Sequence, residues 1–244
     1  MRLDKYICKS TQLSKAEAVC SIQAGRVSVN ATVAIDAALQ VHENNTIELD
    51  GVQLKPRAFR YLLMHKPAGL VCSNVDEAYP SLFNLLDIDR VSELHIVGRL
   101  DVDTTGLVLI TDDGRWSFHI TQPANACPKV YRVGLARALS AGDIDELVVQ
   151  FKQGIRLQGE QRLTLPATLE VISSKDVRLT ITEGRFHQVK RMFAAVGNRV
   201  ASLHREQIGD VLVDVDEGQW RYLHDTEVQS FSLAQYALCR LLIH

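Results

Sequence analysis

Chemistry in this chain is concentrated where charged side chains meet apolar runs. The stretch Val97 to Gly114 (VGRLDVDTTGLVLITDDG) sets Arg99, Asp101, Asp103, Thr104, Thr105 and Gly106 directly ahead of the apolar run Leu107 to Ile110, which Asp112-Asp113-Gly114 closes. A short apolar run ended by a Gly-containing turn reads as a buried strand and its turn. Charge at the mouth of such a strand is costly unless paired. An ionised carboxylate held there has the chemistry of a nucleophile, or of a stabiliser of a developing cation. The same residues also fit a surface loop whose carboxylates are solvated.

A second concentration is Glu183 to Met192, EGRFHQVKRM. The spacing predicts a helix over 185–196, with Phe186, Val189, Phe193 and Val196 on one face and Gly197 as its C-cap. At roughly 100° per residue, Lys190 falls about 40° from Phe186, at the edge of the apolar face, and Arg191 points about 140° away. An inward lysine calls for a partner, and a carboxylate of the first stretch is the candidate. The alternative is a stem that packs while its amine reaches solvent. Tyr131 lies in the middle of Lys129 to Leu135, a run that alternates like a strand with one face buried. A core tyrosine is its ordinary reading.

The elements that must hold these groups follow from the rest of the chain. Residues 1–58 read as a small module. Ser14 is an N-cap with Glu17 as its capping-box partner, Gly25 ends that helix, and short β-type runs follow at Arg26 to Val29, Thr32 to Ile35 and Thr46 to Leu49. A linker over 52–60 leads into a domain spanning 59–230. Its expected strands are Tyr61 to Lys66, Leu70 to Ser73, Leu94 to Val97, Leu107 to Ile110, Lys129 to Leu135, Ala167 to Ile172, Val177 to Thr182, Val200 to His204 and Gln207 to Leu212. Expected helices are Pro80 to Leu86, Arg115 to Thr121, Ser140 to Phe151 with Ser140 as N-cap, and 185–196. Many strands, few helices and no regular β-α-β alternation predict an α+β fold. The tail 231–244 is apolar and fits either a docked helix or a contact surface.

The totals exclude several classes. At 46% hydrophobic and 23% charged residues the composition is that of a soluble globular protein, and no apolar run is long enough to span a bilayer. With no signal-peptide pattern at the start, a cytoplasmic protein without membrane contact is expected. The five cysteines (Cys8, Cys20, Cys72, Cys127, Cys239) are odd in number and scattered, which supports neither a disulfide framework nor a zinc site. No dinucleotide fingerprint, P-loop or ligand-spaced histidine cluster occurs, so no cofactor and no metal are expected. A net charge of −2 means that any nucleic-acid contact must come from a local basic patch.

Two resemblances organise these features. An RLDKY opening, a Ser14-Lys15-Ala16-Glu17-Ala18 helix, AGRVSVN and a β-run closing in IELDG resemble the S4 domain, a small RNA-binding module. That resemblance implies that Arg2, Lys5, Lys15 and Arg26 face RNA phosphates. The pairing of Gly98-Arg99-Leu100-Asp101-x-x-Thr104-Thr105-Gly106-Leu107 with GRFHQVKRM, and with Lys66-Pro67-Ala68-Gly69 and Lys129-Val130-Tyr131 in that order, resembles the RsuA-type branch of the pseudouridine synthases. Together they cover residues 1–225.

This resemblance implies a mixed, mainly antiparallel sheet flanked by helices and a cofactor-free isomerisation of a uridine in 16S ribosomal RNA, uridine 516, with ribosomal RNA or a partly assembled small subunit as the partner of a monomer. It makes Asp101 the nucleophile, Lys190 its cation and Tyr131 the ring that stacks on the extracted base. Arg99, Arg185, His187, Arg191, Arg205 and Lys66 become contacts to the flipped nucleotide or its phosphates. Thr104 and Thr105 shape the turn beside the substrate, and Asp103 is the secondary carboxylate. The alternatives are the same chemistry on a 23S rRNA or tRNA uridine, and a non-catalytic RNA-binding assembly factor.

Overall fold

Local signals fix the first elements. In the computed structural model, which describes residues 1–42, 44–140 and 142–231, the chain divides into two compact units, Met1–Phe59 and Arg60–His244. The first opens with α1 (Leu3–Ser10) and α2 (Lys15–Gln23). Ser14 and Glu17 form the reciprocal capping box the spacing predicted, the Glu17 N–H donating to the Ser14 hydroxyl at 3.3 Å and the Ser14 N–H to the Glu17 carboxylate at 2.8 Å. Four short strands follow, β1 (Val27–Val29), β2 (Thr32–Val33), β3 (Ile47–Leu49) and β4 (Val52–Gln53), in an antiparallel sheet of order β2-β1-β3-β4. Asn30-Ala31 and Asp50-Gly51 both have positive φ, the backbone that the tightest hairpins need. Leu3, Ile7, Ala18, Ile22, Val27 and Ile47 form the core of this unit.

The second unit contains β5 (Tyr61–Lys66), β6 (His95–Val97), β7 (Thr105–Thr111), α3 (Gly114–Thr121), β8 (Lys129–Leu135), α4 (Ile144–Gln153), β9 (Thr168–Ser173), β10 (Asp176–Ile181), α5 (Gln188–Ala195), β11 (Val200–Ile208), β12 (Val211–Leu212), β13 (Trp220–Tyr222) and α6 (Asp225–Ser230). Among the described residues its strands join one nine-stranded sheet, with path β13-β5-β7-β11-β8-β10-β9, β12 beside β11 and β6 beside β7. Only the β7–β11 pair is parallel. The result is the mixed, mainly antiparallel α+β architecture expected.

Strand β7 is buried on both faces, which is why it reads as a continuous apolar run. Val108 and Ile110 pack into the core that holds Phe151 of α4 and Val189, Met192 and Phe193 of α5. Leu107 and Leu109 pack on the opposite side with Trp116, Ile120 and Phe231. Gly106, the second residue of the strand, has φ +108°, and an added Cβ there would land on the backbone of Arg205. The close parallel approach of β7 and β11 therefore requires glycine at this position.

Several boundaries differ from the sequence expectation. Leu70 to Ser73 contributes one bridge, Val71 to Ser81, rather than a strand. Pro80 to Leu86 tightens to a 3₁₀ turn over Leu82–Leu85, capped by the Ser81 hydroxyl, which accepts from the Phe83 N–H at 3.0 Å. Helix α4 starts at Ile144, since Ser140 donates its hydroxyl to the Asp143 carboxylate instead of capping the helix. Helix α5 starts only at Gln188, because His187 has a left-handed backbone (φ +48°) that interrupts the helical progression. Of the tail, Phe231 is buried edge-on against Trp116, and 232–244 lie outside the described residues. Among those described, no helix is long and apolar enough to cross a membrane.

Candidate active site

Asp101 stands in the turn between β6 and β7, and the backbone of that turn is fastened from behind. Lys66, the last residue of β5, is fully buried. Its ammonium donates to the carbonyls of Pro67 (3.0 Å), Asp101 (3.1 Å), Val102 (3.2 Å) and Thr104 (2.8 Å). An ammonium has three protons, so four converging carbonyls share them. The β5–β7 register sets Lys66 opposite Gly106 and so brings it to this position.

Arg205 holds the flanks of the same turn. Only 1% exposed, it donates from Nε to the Leu107 carbonyl at 2.7 Å and from Nη2 to the Gly98 carbonyl at 2.7 Å. Its Nη1 donates to the Tyr131 hydroxyl at 3.3 Å. Lys66 and Arg205 were expected to contact phosphate. The structure corrects this: both are buried and committed to backbone carbonyls, the groups whose burial would otherwise carry a desolvation penalty.

The front of the turn faces α5. Lys190 Nζ lies 2.9 Å from Asp101 Oδ2 and 2.6 Å from Asp103 Oδ1. His187 Nε2 lies 3.4 Å from Asp101 Oδ1. Burial works to lower the Lys190 pKa, but the hydrogen bonds to Asp103 and Asp101 outweigh it and the ammonium is held above the ordinary lysine value. Beside the turn, Cys72 accepts the Leu100 N–H at 3.3 Å. Burial pushes its thiol up, which keeps it protonated and a poor nucleophile next to the carboxylate.

These groups surround a cleft of about 600 Å³ that Asp101, Lys190, His187, Arg205, Tyr131, Arg99, Thr104 and Arg185 all line, a volume within the usual range of small-molecule sites. Tyr131, at 8% exposure, forms part of its wall. Arg99 is exposed at its edge. Thr104 is buried with its hydroxyl unpaired among the described residues. Lys129 also borders the cleft, its ammonium donating to the Cys127 carbonyl at 2.9 Å, and burial lowers its pKa as it does that of Lys66. Among the described residues, no group of three His, Cys, Asp or Glu side chains is placed to hold a metal ion.

Other expected contacts are occupied. Arg185 pairs with Glu160 at 2.6 Å and Glu183 at 3.1 Å and donates to the carbonyls of Arg162 and Leu163. Arg191 pairs with Glu160 at 2.7 Å and donates to the carbonyls of Phe186 and Gln158. Both arginines therefore brace the loop around Glu160 instead of standing free for phosphate. Thr105 shares a 2.8 Å hydrogen bond with His204 Nδ1 and does not line the cleft. In the first unit, Arg2 is bidentate to Asp4 and Arg26 to Asp50, while Lys5 and Lys15 are exposed. Phe186 is also displaced from its expected inner face: it is 76% exposed and stacked on His187, because the helix begins after it.

Residues that sequence reasoning did not assign complete the arrangement. Glu183, buried, accepts from the Leu165 N–H and from Gln188 Nε2, each at 2.9 Å. The Gln188 Oε1 accepts from the Arg185 N–H at 2.8 Å. The only sequence signal for this support was the acidic residue opening EGRFHQ, which carries no indication of its partners.

Comparison with known proteins points to one family. The family described as RNA pseudouridylate synthase matches residues 60–195. Over 232 residues the chain is 47% identical to the ribosomal small subunit pseudouridine synthase A of Vibrio cholerae serotype O1, covering 94% of this chain and 99% of that protein. Over 233 residues it is 45% identical to the Escherichia coli K12 protein of the same name, with 94% and 99% covered. Among solved structures it is similar to a crystal structure of a pseudouridylate synthase, with a TM-score of 0.69 and 40% identity over 95% of this chain and 100% of that one.

Proposed function

The chain belongs to the RNA pseudouridylate synthase family, and from that premise we propose that its cleft converts one uridine of small-subunit ribosomal RNA to pseudouridine, by resemblance uridine 516 of 16S rRNA. The reaction breaks the bond between uracil N1 and ribose C1′, turns the base, and joins C5 to C1′. C5 loses a proton and N1 gains one, so atoms and electrons balance with no cofactor.

Asp101 supplies the ionised carboxylate that acts as nucleophile on the flipped-out nucleotide. Lys190 pairs with it and orients it, and Lys66 and Arg205 fix the backbone that presents it. Tyr131 stacks on the extracted base, offsetting part of the loss of helical stacking, and Arg99 reaches the nucleotide from the rim. The first unit acts as an S4-like RNA-holding domain of residues 1–58, with Lys5 and Lys15 as its phosphate contacts. The protein acts as a cytoplasmic monomer on rRNA or on a partly assembled small subunit.

The observation that carries this reading is the Asp101 carboxylate, 2.9 Å from Lys190 in the same cleft as Tyr131. Its test is Asp101→Asn, which keeps the shape and removes the charge. Pseudouridine formation in small-subunit rRNA is expected to fall by about 10⁴-fold or more, with RNA affinity near wild type. Undiminished activity in this variant would overturn the assignment.

A further inference from the structure

Single exposed apolar side chains are ordinary on protein surfaces. Phe186 is not placed like one. Its ring is 76% exposed at the mouth of the cleft and lies face to face with His187, with centroids 3.8 Å apart and planes 22° from parallel. The same imidazole reaches Asp101 Oδ1 at 3.4 Å with Nε2. The outer face of Phe186 is thus one ring away from a group that touches the reacting carboxylate.

The backbone beneath this stack is held firmly. Arg191 Nη1 donates to the Phe186 carbonyl at 3.1 Å. The Gln188 N–H donates to the Arg185 carbonyl at 3.1 Å, and Arg185 is itself locked to Glu160 and Glu183. His187 holds a left-handed backbone, uncommon for a residue other than glycine although histidine is among those enriched there. A ring presented outward from a fixed backbone is preorganised for a planar partner, which reduces the ordering penalty of binding one.

We propose that the Phe186–His187 stack is a docking platform for the unpaired nucleobase adjacent to the target uridine. The inference rests on the reading of the cleft as a uridine site. The target base occupies the interior beside Tyr131, so the exposed rim ring is left for its neighbour. Extraction of the uridine removes one stacking partner from that neighbour, and the outer face of Phe186 replaces it. A phenyl face stacks on any base, so the platform recognises an unstacked nucleotide at this position rather than its identity. It thereby favours target uridines in single-stranded or loop RNA.

The test uses the full-length protein and a small-subunit rRNA fragment that carries the target uridine. Phe186→Ala and Phe186→Leu are expected to raise KM about 5- to 150-fold, the range for loss of one stacked base, with kcat little changed. Phe186→Tyr and Phe186→Trp should stay near wild type. Because the ring is exposed, melting temperatures of all four should match the wild type. Fragments abasic at the position 5′ or 3′ of the target give the matching arm. One of them should weaken the wild-type protein by the same factor and the Phe186→Ala variant no further. Wild-type KM in Phe186→Leu, or additive losses from the abasic and Phe186→Ala changes, would overturn the platform. If the wild-type protein makes no pseudouridine, the function proposed above fails. Equilibrium binding of the same fragments to the same variants then decides the platform on its own, with the same pattern of losses expected.

Discussion

Lys190 sets its ammonium 2.9 Å from Asp101 Oδ2, and this contact joins α5 to the turn between β6 and β7. The same nitrogen holds Asp103 at 2.6 Å, so one cation serves two carboxylates of unequal position. The Asp103 side chain is 73% exposed, whereas that of Asp101 is mostly withdrawn into the cleft wall.

Removal of that cation is expected to affect chemistry more than binding. Lys190→Met should lower kcat by about 10²- to 10³-fold, the range for loss of one preorganised electrostatic group. Lys190→Arg keeps the charge and should retain much of the activity. Asp103→Asn removes only an exposed partner, so its effect on kcat should stay within about tenfold. Single-turnover pseudouridine formation measures all three, and an Asp103→Asn loss equal to that of Lys190→Met would exchange the roles of the two carboxylates.

The pair also predicts a pH signature. The hydrogen bond from Lys190 outweighs burial and holds the Asp103 carboxyl below its ordinary value. A depressed carboxyl contributes stability that is complete above its unfolded pKa, about 3.9, and lost as pH falls through the lower folded value. The raised Lys190 contributes stability that is complete below about 10.4 and lost as pH climbs through its higher folded value. The difference in urea stability between wild type and Asp103→Asn should therefore be flat from about pH 5 to 9 and close below about pH 4. Exposure of Asp103 keeps that difference under about 1 kcal/mol. A difference that widens toward acid would contradict the sign argued here.

Lys66 predicts a linked loss of stability and rate. Lys66→Met takes the ammonium from four carbonyls, of which those of Asp101 and Val102 keep a backbone N–H donor, and should lower stability by about 2–4 kcal/mol. It also loosens the turn that carries Asp101, so kcat should fall more than KM rises. Lys66→Arg should not restore either, since a planar fork cannot serve four carbonyls converging on one point. Chemical denaturation and steady-state kinetics report the two effects separately, and a Lys66→Met protein of normal stability would remove the support assigned to this residue.

The first unit gives a prediction in salt. Replacing Lys5 and Lys15 together by alanine should weaken RNA binding and reduce the slope of log affinity against log salt by about 1 to 2, at roughly 0.7 to 0.9 for each phosphate no longer neutralised. Arg2→Ala and Arg26→Ala should move the slope less, because each guanidinium is already bidentate to a carboxylate. Fluorescence anisotropy across a salt series distinguishes these outcomes, and an unchanged slope in the double variant would place the phosphate-binding cations elsewhere.

What was legible in the sequence was local or periodic. The Ser14–Glu17 capping box, the buried run of β7 and the alternation of β8 depend on neighbours a few residues away. The pairing of Lys190 with Asp101 was legible because helical spacing turns Lys190 inward and motif order leaves a carboxylate as its partner. The tertiary structure alone decided where the other charges go. Lys66 and Arg205 read as phosphate contacts but lie inside, because strand pairing gathers several backbone carbonyls around each of them. Arg185 and Arg191 read as phosphate ligands but meet Glu160, which is distant in sequence. Phe186 read as core but faces solvent, because one left-handed residue, His187, delays the helix. The physical reason is common to the four cations: periodicity records which side chains avoid water, whereas the partner of a buried charge or a carbonyl is set by long-range register, which no local pattern encodes.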